Sequence, residues 1–223
     1  VFTMANDPHG TGSSVWHQTS EFIVASDATL NISSGAVLKV LSGLSLDIDI
    51  DGILNINGLT GAGNDVIITS IKDDSAEAGG DTNGDGATSA GFADWQGIDL
   101  NSTSTATINF ADIRYGVTNL ALIDVSGVNN PTIADTQSSF SSSYGLEIVS
   151  GLNVTSTPLI NDFQVTSTNS YGTYIHTNAG DTINPTINNL TITSAGNGQT
   201  NDHGLYLQAP GGSIGGTFSG LNV

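Results

Sequence analysis

The chain has 223 residues, with 21 Asp+Glu against 3 Lys+Arg, a formal charge of -18 and no cysteine. Such a charge repels nucleic-acid phosphates and anionic membranes, which disfavours both as partners and favours divalent cations; the lack of cysteine removes disulfides, thiolate metal sites and thiol catalysis. No run of about 18 apolar residues is present to span a bilayer as a helix, and Gly (28 residues), Ser, Thr, Asn and Asp separate short apolar runs, the composition of many strands joined by turns.

Residues 1–21 carry no clean period, but Phe2, Met4, Val15, Trp16 and the following Phe22 supply apolar bulk. An N-terminal cap over the first open rung of a repeat is the expectation there. Val1 opens the sequence without the basic and apolar segments of a signal peptide, so a secreted protein would have lost its signal already.

Alternation then begins. Leu30-Asn31-Ile32, Leu38-Lys39-Val40, Leu46-Asp47-Ile48 and Leu54-Asn55-Ile56 each place two side chains inward and one outward, as strands do. Their leading leucines are 8 residues apart, so three strands make a 24-residue coil and Leu54-Asn55-Ile56 should stack on Leu30-Asn31-Ile32. Gly35 and Gly58 follow two of these triplets where corners would fall.

Between Ser70 and Trp95 the alternation stops, and a glycine-rich loop over 72–94 concentrates oxygen donors. Asp81, Asn83 and Asp85 alternate and are followed by Gly86, the opening half of an EF-hand loop, with the Ala87 carbonyl as the next ligand. Calcium is the expected ion, because a hard cation takes six to eight oxygens in flexible geometry. The twelfth position of such a loop is Phe92 and not a glutamate, so Asp94, or Asp73 and Asp74, would have to close the shell.

The second half has a period of its own. Pro131-Thr132-Ile133, Pro158-Leu159-Ile160 and Pro185-Thr186-Ile187 recur every 27 residues, and Gly212-Ser213-Ile214 falls at the same interval. Tyr144-Gly145-Leu146-Glu147-Ile148 precedes Tyr171-Gly172-Thr173-Tyr174-Ile175 by 27, whereas His203-Gly204-Leu205-Tyr206-Leu207 follows after 32. An insertion near 195–202, offset at the next corner, accounts for the two intervals together. The whole pattern predicts one all-β domain over 1–223: a right-handed parallel β-helix, a solenoid with three strands per coil and coils of about 24–27 residues.

Thr69-Ser70, Lys72-Asp73-Asp74, Gly79-Gly80-Asp81-Thr82-Asn83-Gly84-Asp85-Gly86, Asp94-Trp95, Gly97-Ile98 and Ile113-Arg114-Tyr115-Gly116 together resemble the right-handed parallel β-helix modules of large secreted bacterial surface proteins, the adhesin-type, non-catalytic branch of the pectate-lyase-like superfamily. The resemblance spans about residues 28–116 and implies an extracellular or cell-surface setting and a long parent chain. It implies no activity.

Catalysis is poorly supplied. A polysaccharide lyase needs free basic side chains, and the inventory is Lys39, Lys72 and Arg114. Lys39 reads as a charge that interrupts strand pairing and Arg114 as one member of an ion pair. Asp135 and Asp162 are equivalent in successive coils, but their column continues as Asn189 and then Gly216, which favours an outward polar ladder over an acid pair. Thr191-Ile192-Thr193 is preceded by Gln164-Val165-Thr166 and Gln137-Ser138-Ser139, so no ice-binding threonine array is maintained. Tyr144, Tyr171, Tyr174 and Tyr206 could stack on the rings of a polysaccharide or cell-surface glycan.

A structural or adhesive, calcium-stiffened module is therefore the expected function, with carbohydrate binding as the alternative. The 203–223 coil ends in strand-like alternation, from which either a longer parent chain or end-to-end self-association is expected.

Overall fold

The computed structural model describes residues 1–5, 15–43, 46–124, 130–150, 155–196 and 202–223. Among these every regular element is a strand, as expected for alternation that lasts only a few residues before a Gly, Asn or Asp corner.

The strands come in threes. The lowest rung is β1 (Phe2–Met4), β2 (Val15–Gln18) and β3 (Phe22–Val24), and the next is β4 (Thr29–Ser33), β5 (Val37–Val40) and β6 (Asp47–Ile50). Above them lie β7 (Ile53–Asn57), β8 (Val66–Ser70) and β9 (Gly97–Leu100), then β10 (Thr105–Asn109), β11 (Ala111–Arg114) and β12 (Thr118–Asp124). In the following rungs the first two strands fuse, giving β13 (Thr132–Ser139) with β14 (Tyr144–Ser150), then β15 (Thr155–Ser156), β16 (Leu159–Thr168) and β17 (Tyr171–His176). The chain closes with β18 (Thr182–Ile183), β19 (Thr186–Asn188), β20 (Thr191–Ala195), β21 (Leu205–Gln208), β22 (Ser213–Ile214) and β23 (Thr217–Ser219).

Each strand hydrogen-bonds in parallel to its equivalent in the next rung. One sheet runs β1-β4-β7-β10-β13-β16-β19-β23, a second runs β2-β5-β8-β11-β13-β16-β20, and a third runs β3-β6-β9-β12-β14-β17-β21. β13 and β16 belong to both of the first two sheets because they pass the corner between them without breaking. Asp135 (φ 48°) and Asp162 (φ 51°) make that turn in the left-handed region, which Asp and Asn enter more easily than other side chains.

Inward-facing residues meet their equivalents one rung away, so the core is a set of columns. Ile32, Ile56, Ile108, Ile133, Ile160 and Ile187 form one such column, all fully buried. The register expected for Leu30-Asn31-Ile32 on Leu54-Asn55-Ile56 is the one observed. So is the 27-residue step that places Ile133 on Ile160 and Ile160 on Ile187.

Two expectations need correction. Gly212-Ser213-Ile214 does not continue the proline column: Ile214 pairs with Ile183, and Ile187 pairs with Phe218. The step there is 31 residues, so the extra residues before His203 are carried through the following corner and not offset at it. The column of Asp135, Asp162 and Asn189 accordingly reaches Gly220 and not Gly216; Ser219 is paired with Asn188, and Gly220 shares the positive φ (60°) of its predecessors. Within the segment expected as an N-terminal cap, Phe2–Met4 and Val15–Gln18 are strands of a bottom rung that pair regularly with β4 and β5. Most of that segment's remainder (6–14), and most of the 195–202 insertion (197–201), lies outside the described residues.

Candidate metal centre

The residues from Ile71 to Asp94 form the long connection between β8 and β9, and it folds back over the outer face of the second sheet. Two outward columns of that sheet explain why it stays there. The first is apolar at its lower end: Val15, Val37 and Ile67 stack in register, and Val37 and Ile67 are buried with Ala78 from the loop. Gly79, with φ +85°, touches Val15 so closely that a Cβ would lie 2.8 Å from its Cγ2. The second column is His17, Lys39, Thr69 and Arg114, in which the loop covers Lys39 completely and Arg114 almost completely.

Two cations are thus enclosed between sheet and loop, and the loop supplies their partners. Arg114 Nη2 lies 2.7 Å from Asp112 Oδ2 and 3.1 Å from Glu77 Oε2, while its Nη1 is 3.6 Å from Asp73 Oδ2. Burial disfavours the charged guanidinium, but Asp112, Asp73 and Glu77 more than compensate, so its pKa rises. Asp73 itself is buried and accepts hydrogen bonds from Thr69 Oγ1 (2.7 Å) and the Ser75 amide (3.2 Å). Lys39 donates to the Gly80 carbonyl at 2.6 Å and stands 3.9 Å from Asp74 Oδ1. Burial lowers the pKa of this ammonium, and Asp74, Asp73, Asp81 and Asp85 oppose that shift. Lys39 is thus the floor of the loop, not the exposed interrupter of strand pairing expected from its mid-strand place.

The third cation works at the loop's return. Lys72 Nζ bonds Asp94 Oδ1 at 3.0 Å, and Asp94 Oδ2 accepts from Ser70 Oγ (2.9 Å) and the Gly91 amide (3.1 Å). Next to it Trp95 is fully buried and donates its indole N–H to the Arg114 carbonyl at 2.7 Å, which re-enters the chain into the third sheet. All three basic residues of the sequence therefore ion-pair with carboxylates of the 72–94 loop.

The seven ligands expected from spacing now separate into groups. Carboxylate oxygens of Asp74, Asp81 and Asp85 lie within 4.8 Å of one another. Asp81 caps its own turn, accepting from the Gly84 (2.8 Å) and Gly86 (3.0 Å) amides, and Asn83 Nδ2 donates to Asp85 Oδ2 at 2.9 Å. Ala87 is exposed beside Thr88, whose amide (2.6 Å) and hydroxyl (2.9 Å) both donate to Asp74 Oδ2. Those two bonds, the amide first, hold the Asp74 pKa below the usual carboxylate value. Only 9% of the Asp74 side chain is exposed, and its Oδ1 is enclosed without a hydrogen bond. Asp73 and Asp94 are turned to Arg114 and Lys72 instead.

A second acidic group was not anticipated. On the outer face of the third sheet Glu21, Asp47 and Asp49 bring their oxygens within 4.8 Å, and Asp49 is paired with Asp99 one rung above. Beyond Asp99 the column shrinks to Ala121, leaving a cleft of about 410 Å3 whose walls include Asp47, Asp99 and Glu147. Burial, with the charges of Asp49, Asp47 and Glu147, pushes the Asp99 carboxyl up to about 6. Asp47-Ile48-Asp49-Ile50-Asp51 carried the signal, since alternation places all three carboxylates on one side.

Further along the same face the tyrosines expected to meet a glycan meet each other. Tyr144 stacks on Tyr171 (centroids 5.5 Å), Tyr171 on His203 (5.6 Å), and Tyr174 on Tyr206 (5.4 Å). Tyr171 also stacks on Tyr174 (5.5 Å) and Tyr206 (5.3 Å). The separation is close to the distance between neighbouring strands, about 4.8 Å, so the rings form a ladder along the sheet.

Comparison of the chain with family models, with curated proteins and with solved structures yields no match.

Proposed function

We propose that this chain is a structural or adhesive module of the extracellular space or cell surface: a right-handed parallel β-helix, of the kind found in large secreted bacterial surface proteins, whose 72–94 loop holds a calcium ion. The observation that carries the metal reading is the convergence of Asp74, Asp81 and Asp85, with Asp74 Oδ1 enclosed, free of any hydrogen bond and faced by the Lys39 ammonium only at 3.9 Å. A buried carboxylate oxygen left in that state costs stability unless a cation completes it. Oxygen donors on a glycine-rich turn suit calcium, with the Asn83 side chain and the Ala87 carbonyl as further ligands. Asp73 and Asp94 stay outside the shell because both oxygens of each already accept hydrogen bonds or face a cation, Asp73 from Thr69, the Ser75 amide and Arg114, Asp94 from Lys72, Ser70 and the Gly91 amide.

The same arrangement supports a non-catalytic reading. A lyase requires a basic side chain that is free to take a proton, and Lys39, Lys72 and Arg114 are each held by loop carboxylates. Asp162 accepts a hydrogen bond from Asn189 at 3.0 Å, as a rung of a polar ladder does.

Titration calorimetry of the metal-free chain tests the proposal. One calcium ion per chain should bind with heat that disappears in the Asp81→Ala/Asp85→Ala double variant. Absence of binding, or binding untouched by that double change, would remove the metal from the account.

A further inference from the structure

The carboxylates of Asp74, Asp81 and Asp85 converge over a lysine, and that lysine has no outlet to solvent. Lys39 leaves β5 between His17 and Thr69 in the outward column, and its side chain is 0% exposed. Its ammonium donates to the carbonyl of Gly80, the residue immediately before Asp81, at 2.6 Å. Gly80 in turn closes the Ser75–Gly80 turn through its amide to the Ser75 carbonyl at 2.9 Å. On the other side the ammonium faces Asp74 Oδ1 at 3.9 Å. Lys39 therefore grips both ends of the carboxylate group, Asp74 directly and Asp81 through the preceding carbonyl. Lys72 and Arg114 are engaged with Asp94 and with Asp73, Glu77 and Asp112, which leaves Lys39 as the basic residue assigned to this group.

We infer that Lys39 is the resident counter-charge of the site: it closes the 72–94 loop without a metal and leaves a residual charge that a divalent cation balances. Three carboxylates brought within 4.8 Å repel one another, and an ammonium enclosed beneath them, 3.9 Å from Asp74, relieves part of that repulsion. Three negative charges and one positive leave two negative charges, the complement of a divalent ion and not of a monovalent one. The Gly80 carbonyl, held by Lys39, fixes where Asp81 enters the group, so Lys39 is a positioning residue as well as a charge. The assignment of the site to a divalent cation rests on the calcium reading above; the closure of the loop by Lys39 does not.

Hydrogen exchange read by mass spectrometry over residues 75–92 tests both statements, with far-UV circular dichroism as the check on folding. In chelator, the wild-type amides of Gly84, Gly86 and Thr88, which donate to Asp81 and Asp74, should already be protected. Lys39→Met in chelator should exchange there at least tenfold faster, and calcium should restore protection. Equal exchange of the variant and the wild type in chelator would overturn the inference, as would free exchange in the metal-free wild type, a result that stands even if the variant does not fold. An opened Lys39→Met loop that calcium fails to restore, with no calcium heat in the wild type, would support Lys39 as the counter-charge while removing the metal reading.

Discussion

The lower and upper rungs share one core and differ in how their outer faces are ordered. From β2 to β11 the second sheet is covered by a loop, and beside a small apolar contact (Val37 and Ile67 with Ala78) the two are joined by ions: Lys39 and Arg114 below, Asp73, Asp74 and Glu77 above. From β13 to β21 no loop among the described residues covers the strands in this way, and the outer faces are ordered by like residues stacked on like, Tyr144 on Tyr171 and Asn161 on Asn188. Charge can hold an irregular insertion in place, because a pair of ions needs no repeat; stacking can order only what the repeat already aligns. The chain's three basic residues accordingly lie within the insertion (Lys72) or on the strands beneath it (Lys39 on β5, Arg114 on β11), and none follows Arg114.

Changes on either side of that divide should differ in size and in response to salt. The largest effect is expected for Arg114→Met, which leaves Asp112 and Asp73 enclosed without their cation. Removing one partner of a buried ion pair costs about 3–5 kcal/mol, so chemical denaturation should register a loss of that order. Denaturation curves that match those of the wild type would mean that the guanidinium does not pin the loop.

A middle-sized effect of opposite sign is expected on the third sheet. The Asp99 carboxyl, raised to about 6, holds its proton more tightly in the folded chain than in the unfolded one. Unfolding then releases a proton between about pH 4 and 6, and stability falls as pH rises through that window. Asp99→Asn should stabilise the protein at pH 7 by up to about 3 kcal/mol, less in high salt, and the gain should vanish below about pH 4. A variant no more stable than the wild type at pH 7 in low salt would show that the cleft around Asp99 is better solvated than its geometry indicates.

The smallest effect belongs to the ladder. Tyr144→Ala removes a ring stacked on Tyr171 and tilted against Tyr174, for which about 0.5–1.5 kcal/mol beyond the lost area is expected per aromatic pair at most. Because no charge is involved, the loss should be the same in low and high salt. A strong salt dependence would place the ladder among the electrostatic contacts and erase the contrast between the two regions.

Much of the architecture was legible because columns repeat. Leu54-Asn55-Ile56 could be set on Leu30-Asn31-Ile32, and Ile160 on Ile133, from intervals alone, since each rung touches only its neighbours. The interval misled at Ile214, where a 27-residue spacing coincided with the proline column although the rung there is 31 residues long; Gly216, with φ +86°, turns the chain before Phe218 reaches Ile187. The loop's composition was legible as well, but its partners were not. Asp73, Asp74 and Asp94 are equivalent as oxygen donors in the sequence, and only the covered column of Lys39, Thr69 and Arg114, assembled from three separate strands, together with Lys72 in the loop itself, decides which carboxylates are neutralised. The Asp47, Asp99 and Glu147 cleft was missed for a related reason: its walls come from three rungs, and the gap is made by the small side chain of Ala121.

The calcium titration tests the central claim most directly when it is carried through to location, by anomalous diffraction from calcium-soaked crystals of the intact chain. The account predicts one ion among the carboxylate oxygens of Asp74, Asp81 and Asp85, with the Lys39 ammonium still bonded to the Gly80 carbonyl. An ion bound by Asp73 and Asp94, with Arg114 and Lys72 displaced, would contradict it.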